Sequence, residues 1–144
     1  MSVDLIQMWH ERARPEPDNV AFNVQLGCHF EEFKEMLDCI RTGSHEVEIN
    51  QLRTVVDVIA TGLKRGWINA MVTDRKEFLD SLADQIVTAT GTGYCAGMNV
   101  TEAVRRVNTS NWSKFDKDGQ PIRDANGKIA KGPDYAPPDL KGLY

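Results

Sequence analysis

The chain has 144 residues, 41% hydrophobic and 26% charged, the size and make-up of one ordinary globular domain with a real core. Its formal net charge of -4 argues against a protein that grips a nucleic acid polymer or an anionic membrane through bulk electrostatics, because both demand clustered Lys and Arg. An anionic ligand must then be recognised locally or through a metal.

Cys28, Cys39 and Cys95 form no CxxC pair and fall in helical contexts, so they read as reduced, buried thiols of a cytosolic protein rather than as a metal or nucleophile site. Asp4 and the His10-Glu11-Arg12 cluster interrupt the first apolar residues, unlike a secretory leader, and no stretch approaches transmembrane length. A cytoplasmic location is expected.

In chain order, Leu5, Ile6, Met8 and Trp9 lie among polar residues from about Val3 to Arg14, which predicts a short amphipathic helix stopped by Pro15 and Pro17. From Asn23 through Arg41, Val24, Leu26, Phe30, Phe33, Met36, Leu37 and Ile40 recur with helical spacing, and Gly43 is placed as a C-terminal stop. Leu52, Val55, Val56, Val58, Ile59 and Leu63 predict a third helix ending near Gly66; the run is too long for a strand. Thr73 or Asp74 is a suitable N-cap for a fourth helix, with Glu77 as capping-box partner. It runs through Phe78, Leu79, Leu82, Ile86 and Val87 towards Tyr94, and Gly91, Gly93 and Gly97 suggest close helix packing at its far end. Thr101 is expected to cap a fifth helix through Val107.

After Asn108 the chain turns to Asp116-Lys117-Asp118-Gly119, Asn126-Gly127, Gly132-Pro133 and Pro137-Pro138, with room for one hairpin around Asn126-Gly127. Asp116 to Gly119 lacks the further acidic ligands and closing Glu of an EF-hand loop and reads as a turn. The expected fold is all-α: a bundle of four to five helices in one domain, with an N-terminal helix over 1–14, a core over 22–108 and a loop-rich tail over 109–144.

The chemistry is concentrated in carboxylates. Glu31 and Glu35 are four apart and Glu32 and Glu35 three apart, so all three are expected on one side of the second helix. Asp80 and Asp84 repeat that geometry on the fourth helix, one turn after Glu77. If the two helices lie antiparallel, four or five carboxylates share a space in which they cannot all stay ionised without a compensating charge. Their oxygens are hard ligands, and no His or Cys accompanies them at ligand spacing, so Mg²⁺ or Mn²⁺ fits better than zinc. The alternative is that each cluster is a solvated helix face. Gln25 and His29 precede Glu32 by seven and three positions and face the same side, where they could touch the base or sugar of a ligand.

EExxE on one helix, then DxxxD on an acidic helix followed by Ile86-Val87-Thr88-Ala89-Thr90-Gly91-Thr92-Gly93, resembles the MazG-like all-α nucleoside triphosphate pyrophosphohydrolases. Asn111-Trp112-Ser113-Lys114-Phe115, Asn126-Gly127-Lys128, Lys131-Gly132-Pro133-Asp134-Tyr135 and Pro137-Pro138-Asp139-Leu140 are similar to the tail of a phage-type, MazZ-like branch related to phosphoribosyl-ATP pyrophosphohydrolase. The likeness spans roughly Asn23 to Leu140. One departure is that the second motif of the family is usually ExxD: with Asp84 as its Asp, Ser81 stands where the Glu belongs. Asp80 looks like the substitute, with Glu77 in reserve.

The resemblance implies Mg²⁺-dependent hydrolysis of a nucleoside triphosphate to the monophosphate and pyrophosphate, on a purine deoxynucleotide such as dGTP or dATP, in the host cytoplasm if the chain is phage-encoded. It assigns Glu32, Glu35, Asp80 and Asp84 to the metal, and Glu31 as a further ligand or the general base. Lys114, Lys128 and Lys131 have the charge to hold phosphates, Asn111 to orient sugar or base, and Tyr135 and Trp112 either stack or pack. Trp9 is a further candidate to flank the base, or else a core residue. A homodimer or homotetramer with composite sites is implied. Rival readings are a pyrimidine substrate such as dUTP or dCTP, phosphoribosyl-ATP, or a non-catalytic helical oligomerisation module.

Overall fold

The computed structural model describes residues 2–125 and 129–144. Five α-helices follow in the order α1 (Ser2–Ala13), α2 (Asn19–Asp38), α3 (Glu46–Arg65), α4 (Arg75–Cys95) and α5 (Val100–Trp112), with a 3-10 turn at Gly43–His45 and no strand among the described residues. The protein is all-α, as expected. Among the described residues no helix is long and apolar enough to cross a membrane. The chain divides into two compact units, one of Pro17–Thr73 and one that joins the residues up to Glu16 with Asp74–Tyr144.

The Pro17–Thr73 unit is a helical hairpin of α2 and α3. Asp18 caps α2 by accepting from the Ala21 N–H at 2.7 Å, so the helix starts four residues before the expected Asn23. It also stops early, at Asp38, and Gly43 opens the 3-10 turn at φ +61° instead of ending α2. The cause lies across the hairpin: the Arg53 guanidinium of α3 donates to the Leu37 carbonyl at 2.5 and 3.2 Å and to the Ile40 carbonyl at 3.3 Å, satisfying acceptors a longer helix would have used. At the far end of α3, Gly66 takes the left-handed conformation at φ +78°, the expected stop.

The hairpin closes on small residues. A Cβ at Gly27 would stand 2.8 Å from the Ala60 carbonyl oxygen and 3.2 Å from the Leu63 Cβ, so α2 and α3 approach more closely here than any larger residue allows. Ala21, Leu37, Val56, Ala60 and Leu63 are buried with it. Asn23, also buried, ties down the loop after α3: its amide nitrogen donates to the Asn19 carbonyl and to Asn69 Oδ1, and its oxygen accepts from the Ala70 N–H at 2.6 Å. Asn23→Ala leaves these groups without their partner and is expected to cost about 1–3 kcal/mol, read as a lower urea midpoint with an unchanged slope.

In the second unit Trp9 of α1 stacks on Phe115 with ring centroids 5.5 Å apart, and its indole nitrogen donates to the Asn111 carbonyl at 2.9 Å. Trp9 is thus a packing residue, the core alternative named for it. Trp112 meets the same Phe115 edge-on at 5.4 Å. Phe115 is only 4% exposed, so the loop-rich tail supplies a buried residue at the centre of this unit. Ser113 Oγ accepts from the Ala136 N–H, Arg106 donates to the Asp139 carbonyl, and the Asn99 N–H to that of Leu143, holding the tail along α5. Asp116 to Gly119 is a turn, closed on Asp116 Oδ1 by the N–H groups of Asp118 and Gln120. Of the expected hairpin, an antiparallel bridge pairs Arg123 with Ile129; its turn at Asn126-Gly127 lies outside the described residues.

Asp74, of the two N-caps considered for α4, accepts from the N–H groups of Lys76 and Glu77, each at 3.0 Å, while the Glu77 carboxylate accepts from Lys76 Nζ rather than closing a capping box. At the other end Gly93 is the close-packing glycine, where a Cβ would overlap Val100; Gly97 is a left-handed stop and Gly91 meets nothing. Asn99, not Thr101, caps α5, accepting from the Glu102 N–H at 3.1 Å. That helix continues past the expected Val107 to Trp112, because its last turns are buried through the polar Asn108 and Ser110, which carry no apolar period. Of the cysteines, Cys39 and Cys95 are exposed and Cys28 is half-buried, so the expectation of buried thiols fails for the two at helix ends.

Hydrogen bonds from Arg105 and then Arg106 hold Glu102 down at about 2, against an ordinary 4.5. A lowered carboxylate pKa stabilises the folded state above the ordinary value and loses that contribution as pH falls through about 2. Glu102→Gln is therefore expected to melt below the parent protein at pH 7, with the gap narrowing below pH 4.5 and closing near pH 2, checked by thermal melts of both proteins across that range.

Candidate functional site

On α2 the buried residues Asn23, Gly27 and Leu37 mark the side towards α3 and the loop after it, which places Gln25, Glu32 and Met36 on the opposite side, flanked by His29 and Glu35. Gln25, His29, Glu32 and Glu35 are all exposed. Glu31 departs from the expected single face. It lies a 100° step round the helix from Glu32, and its Oε1 is drawn to α3, where it accepts from Lys64 Nζ at 2.5 Å. The carboxylates presented outward together by α2 are thus Glu32 and Glu35.

In the other unit Asp80 and Asp84 are exposed one turn apart on α4. Glu77, a turn earlier, has an ion pair with Lys76 at 2.8 Å. Among the described residues no group of three or more His, Cys, Asp or Glu side chains gathers as a ready metal cluster. The acids come in pairs, one pair in each unit.

The tail residues are brought together in the unit of α4 and α5. Lys114 Nζ donates to Asn111 Oδ1 at 2.7 Å and stands 5.9 Å from the centre of the Trp9 ring. Lys131 Nζ lies 4.8 Å over the Tyr135 ring. The two pairs adjoin: a Cβ on Gly132 would be 3.6 Å from the Lys114 carbonyl oxygen, and Ser113 is bonded to Ala136. Asn111 with Lys114 and Lys131 with Tyr135 are therefore two pairs carried on adjoining segments, and Trp112 packs on Phe115. Lys128, the third lysine expected here, lies outside the described residues.

Lys64 and Arg53 were not among the expected site residues, yet Lys64 decides which way Glu31 points. Only the register of the hairpin reveals it, since the two partners are 33 positions apart. No protein-family model, curated protein or solved structure matches the chain.

Proposed function

We propose that this protein is a Mg²⁺-dependent nucleoside triphosphate pyrophosphohydrolase, converting a purine deoxynucleoside triphosphate and water to the monophosphate and pyrophosphate. One contrast among its acids carries the reading. Glu31 is paired with Lys64, Asp38 with Lys34 and Arg53, and Glu77 with Lys76, whereas among the described residues Glu35, Asp80 and Asp84 have no ion-pair partner. Asp80 and Asp84, exposed one turn apart without an ion-pair partner among the described residues, suit a divalent ion that arrives with its substrate.

The donor set is all oxygen and fits Mg²⁺ or Mn²⁺; Glu32 and Glu35 on α2 and Asp80 and Asp84 on α4 are the residues that would hold it. When bound, the ion neutralises phosphate charge and acidifies the attacking water. Lys114 and Lys131 would hold the phosphates and Asn111 orient the nucleoside, with Gln25 and His29 beside the α2 carboxylates. Glu31, already bonded to Lys64, acts as a positioned acceptor for the proton of that water or as a further ligand. The motif resemblance supports the reaction class, the purine deoxynucleotide and a homo-oligomeric state.

The test is a panel of common ribo- and deoxynucleoside triphosphates, and phosphoribosyl-ATP, incubated with Mg²⁺ or Mn²⁺ and resolved by product. Pyrophosphate and monophosphate from dGTP or dATP, absent with chelator, is the expected result. Preference for dUTP or dCTP would move the substrate assignment to pyrimidines, and no pyrophosphate from any nucleotide would leave the non-catalytic module.

A further inference from the structure

Three residues of the segment Asn111-Trp112-Ser113-Lys114-Phe115 meet Trp9 of α1. Its ring stacks on Phe115 with an interplanar angle of 7°, its indole N–H donates to the Asn111 carbonyl at 2.9 Å, and Lys114 Nζ stands over it, 5.9 Å from the ring centre. The indole is itself held against the tail. Beyond Trp9, Arg12 Nε donates to the Gly119 carbonyl at 2.8 Å and the Arg123 guanidinium donates to the Ala13 carbonyl, so α1 is tied to the same stretch of chain at its C-terminal end.

Packing alone does not call for a tryptophan here. Leucine or phenylalanine would also cover Phe115, but neither brings an N–H to a carbonyl in the last turn of α5, and leucine offers an ammonium no π face. The Lys114 ammonium is fixed a second time by its bond to Asn111 Oδ1 at 2.7 Å. Of its three donors that bond takes one, leaving two for phosphate oxygens. A lysine already held in one position loses less side-chain freedom when an anion arrives. We propose that Trp9 is a positioning residue of the substrate site: without touching the ligand it acts through Lys114, directly by its ring and indirectly by fixing Asn111, and so presents the ammonium to a triphosphate. This rests on the reading that Lys114 holds the phosphates, and its test reads binding and not turnover.

The probe is the α,β-methylene analogue of whichever triphosphate the product panel shows to be cleaved, or of dATP if none is, because its bridging carbon leaves no α,β anhydride to hydrolyse. Titrated by calorimetry with Mg²⁺ present, Trp9→Leu is expected to bind it about tenfold more weakly than the parent protein, the combined effect of one hydrogen bond and one cation–π contact. In a Lys114→Met background the same change should weaken binding by less than about twofold, since a residue that acts through another has then nothing to act on. Equal losses in the two backgrounds would make Trp9 a packing residue only and overturn the proposal. An unchanged affinity in Trp9→Leu, or a parent protein that does not bind the analogue, would overturn it too. Should Trp9→Leu lose helix by circular dichroism, Trp9→Phe, which removes the N–H and keeps a ring on Phe115, takes its place in the cycle, and parent-like affinity there defeats the proposal. A parent protein that shows the expected cycle yet cleaves no nucleotide would overturn the proposed reaction and support the assignment of Trp9.

Discussion

Glu35→Gln and Asp84→Asn are each expected to abolish pyrophosphate release while leaving the fold intact. Both substitutions keep the side-chain shape and remove one negative charge, and both residues are exposed, so no packing is lost. If each carboxylate helps to hold the ion that neutralises the triphosphate, its loss removes several kcal/mol of transition-state stabilisation, about a thousandfold in rate at roughly 1.4 kcal/mol per decade. Glu31→Gln separates the roles left open for Glu31. A general base gives a comparable loss of rate, with Mg²⁺ dependence unchanged; a metal ligand raises the Mg²⁺ concentration needed. Its ion pair with Lys64 is partly exposed and worth at most about 1 kcal/mol, so stability should hardly move. Turnover is checked by coupled pyrophosphate detection and folding by circular dichroism. Full activity in both Glu35→Gln and Asp84→Asn would sink the assignment.

Leu63→Ala is expected to give the largest loss of stability. Leu63 is 2% exposed at the tightest point of the hairpin, beside the position where a Cβ on Gly27 would crowd it. The close approach of α2 and α3 leaves the backbone little room to collapse into the space, so the cost falls in the range of about 2–5 kcal/mol. For a chain of this size that is a fall in Tm on the order of 10 °C. Val55→Ala, on the same helix but 55% exposed, is the control and should lie within about 0.5 kcal/mol of the parent. Thermal melts of the two proteins decide it; equal melting temperatures would mean that the α2 and α3 seam is not the core of this unit.

The candidate site was legible where its logic is local. The pairs Glu32 with Glu35 and Asp80 with Asp84 follow from one helical turn; that each pair is exposed is seen only in the fold. The direction of Glu31 was not legible, because it depends on Lys64 of another helix. The tail motif pointed to Asn111, Lys114, Lys131 and Tyr135 without showing that their segments adjoin, since the bonds joining those segments connect Ser113 with Ala136. Trp9 shows the same limit: its spacing marks an apolar face, and only the stacking on Phe115 tells packing from ligand contact.

By itself the sequence determined that the protein is helical and where several helices begin or end. Asp74 and Gly66 act within four residues of themselves, so their effect can be read locally. The tertiary structure decided where α2 stops and what fills the centre of the second unit. Arg53 satisfies carbonyls 13 and 16 positions away, and Trp9 bonds to Asn111 across 102. Such partners are chosen by which surfaces of the folded chain meet, and the helical period of either segment alone carries no trace of that choice.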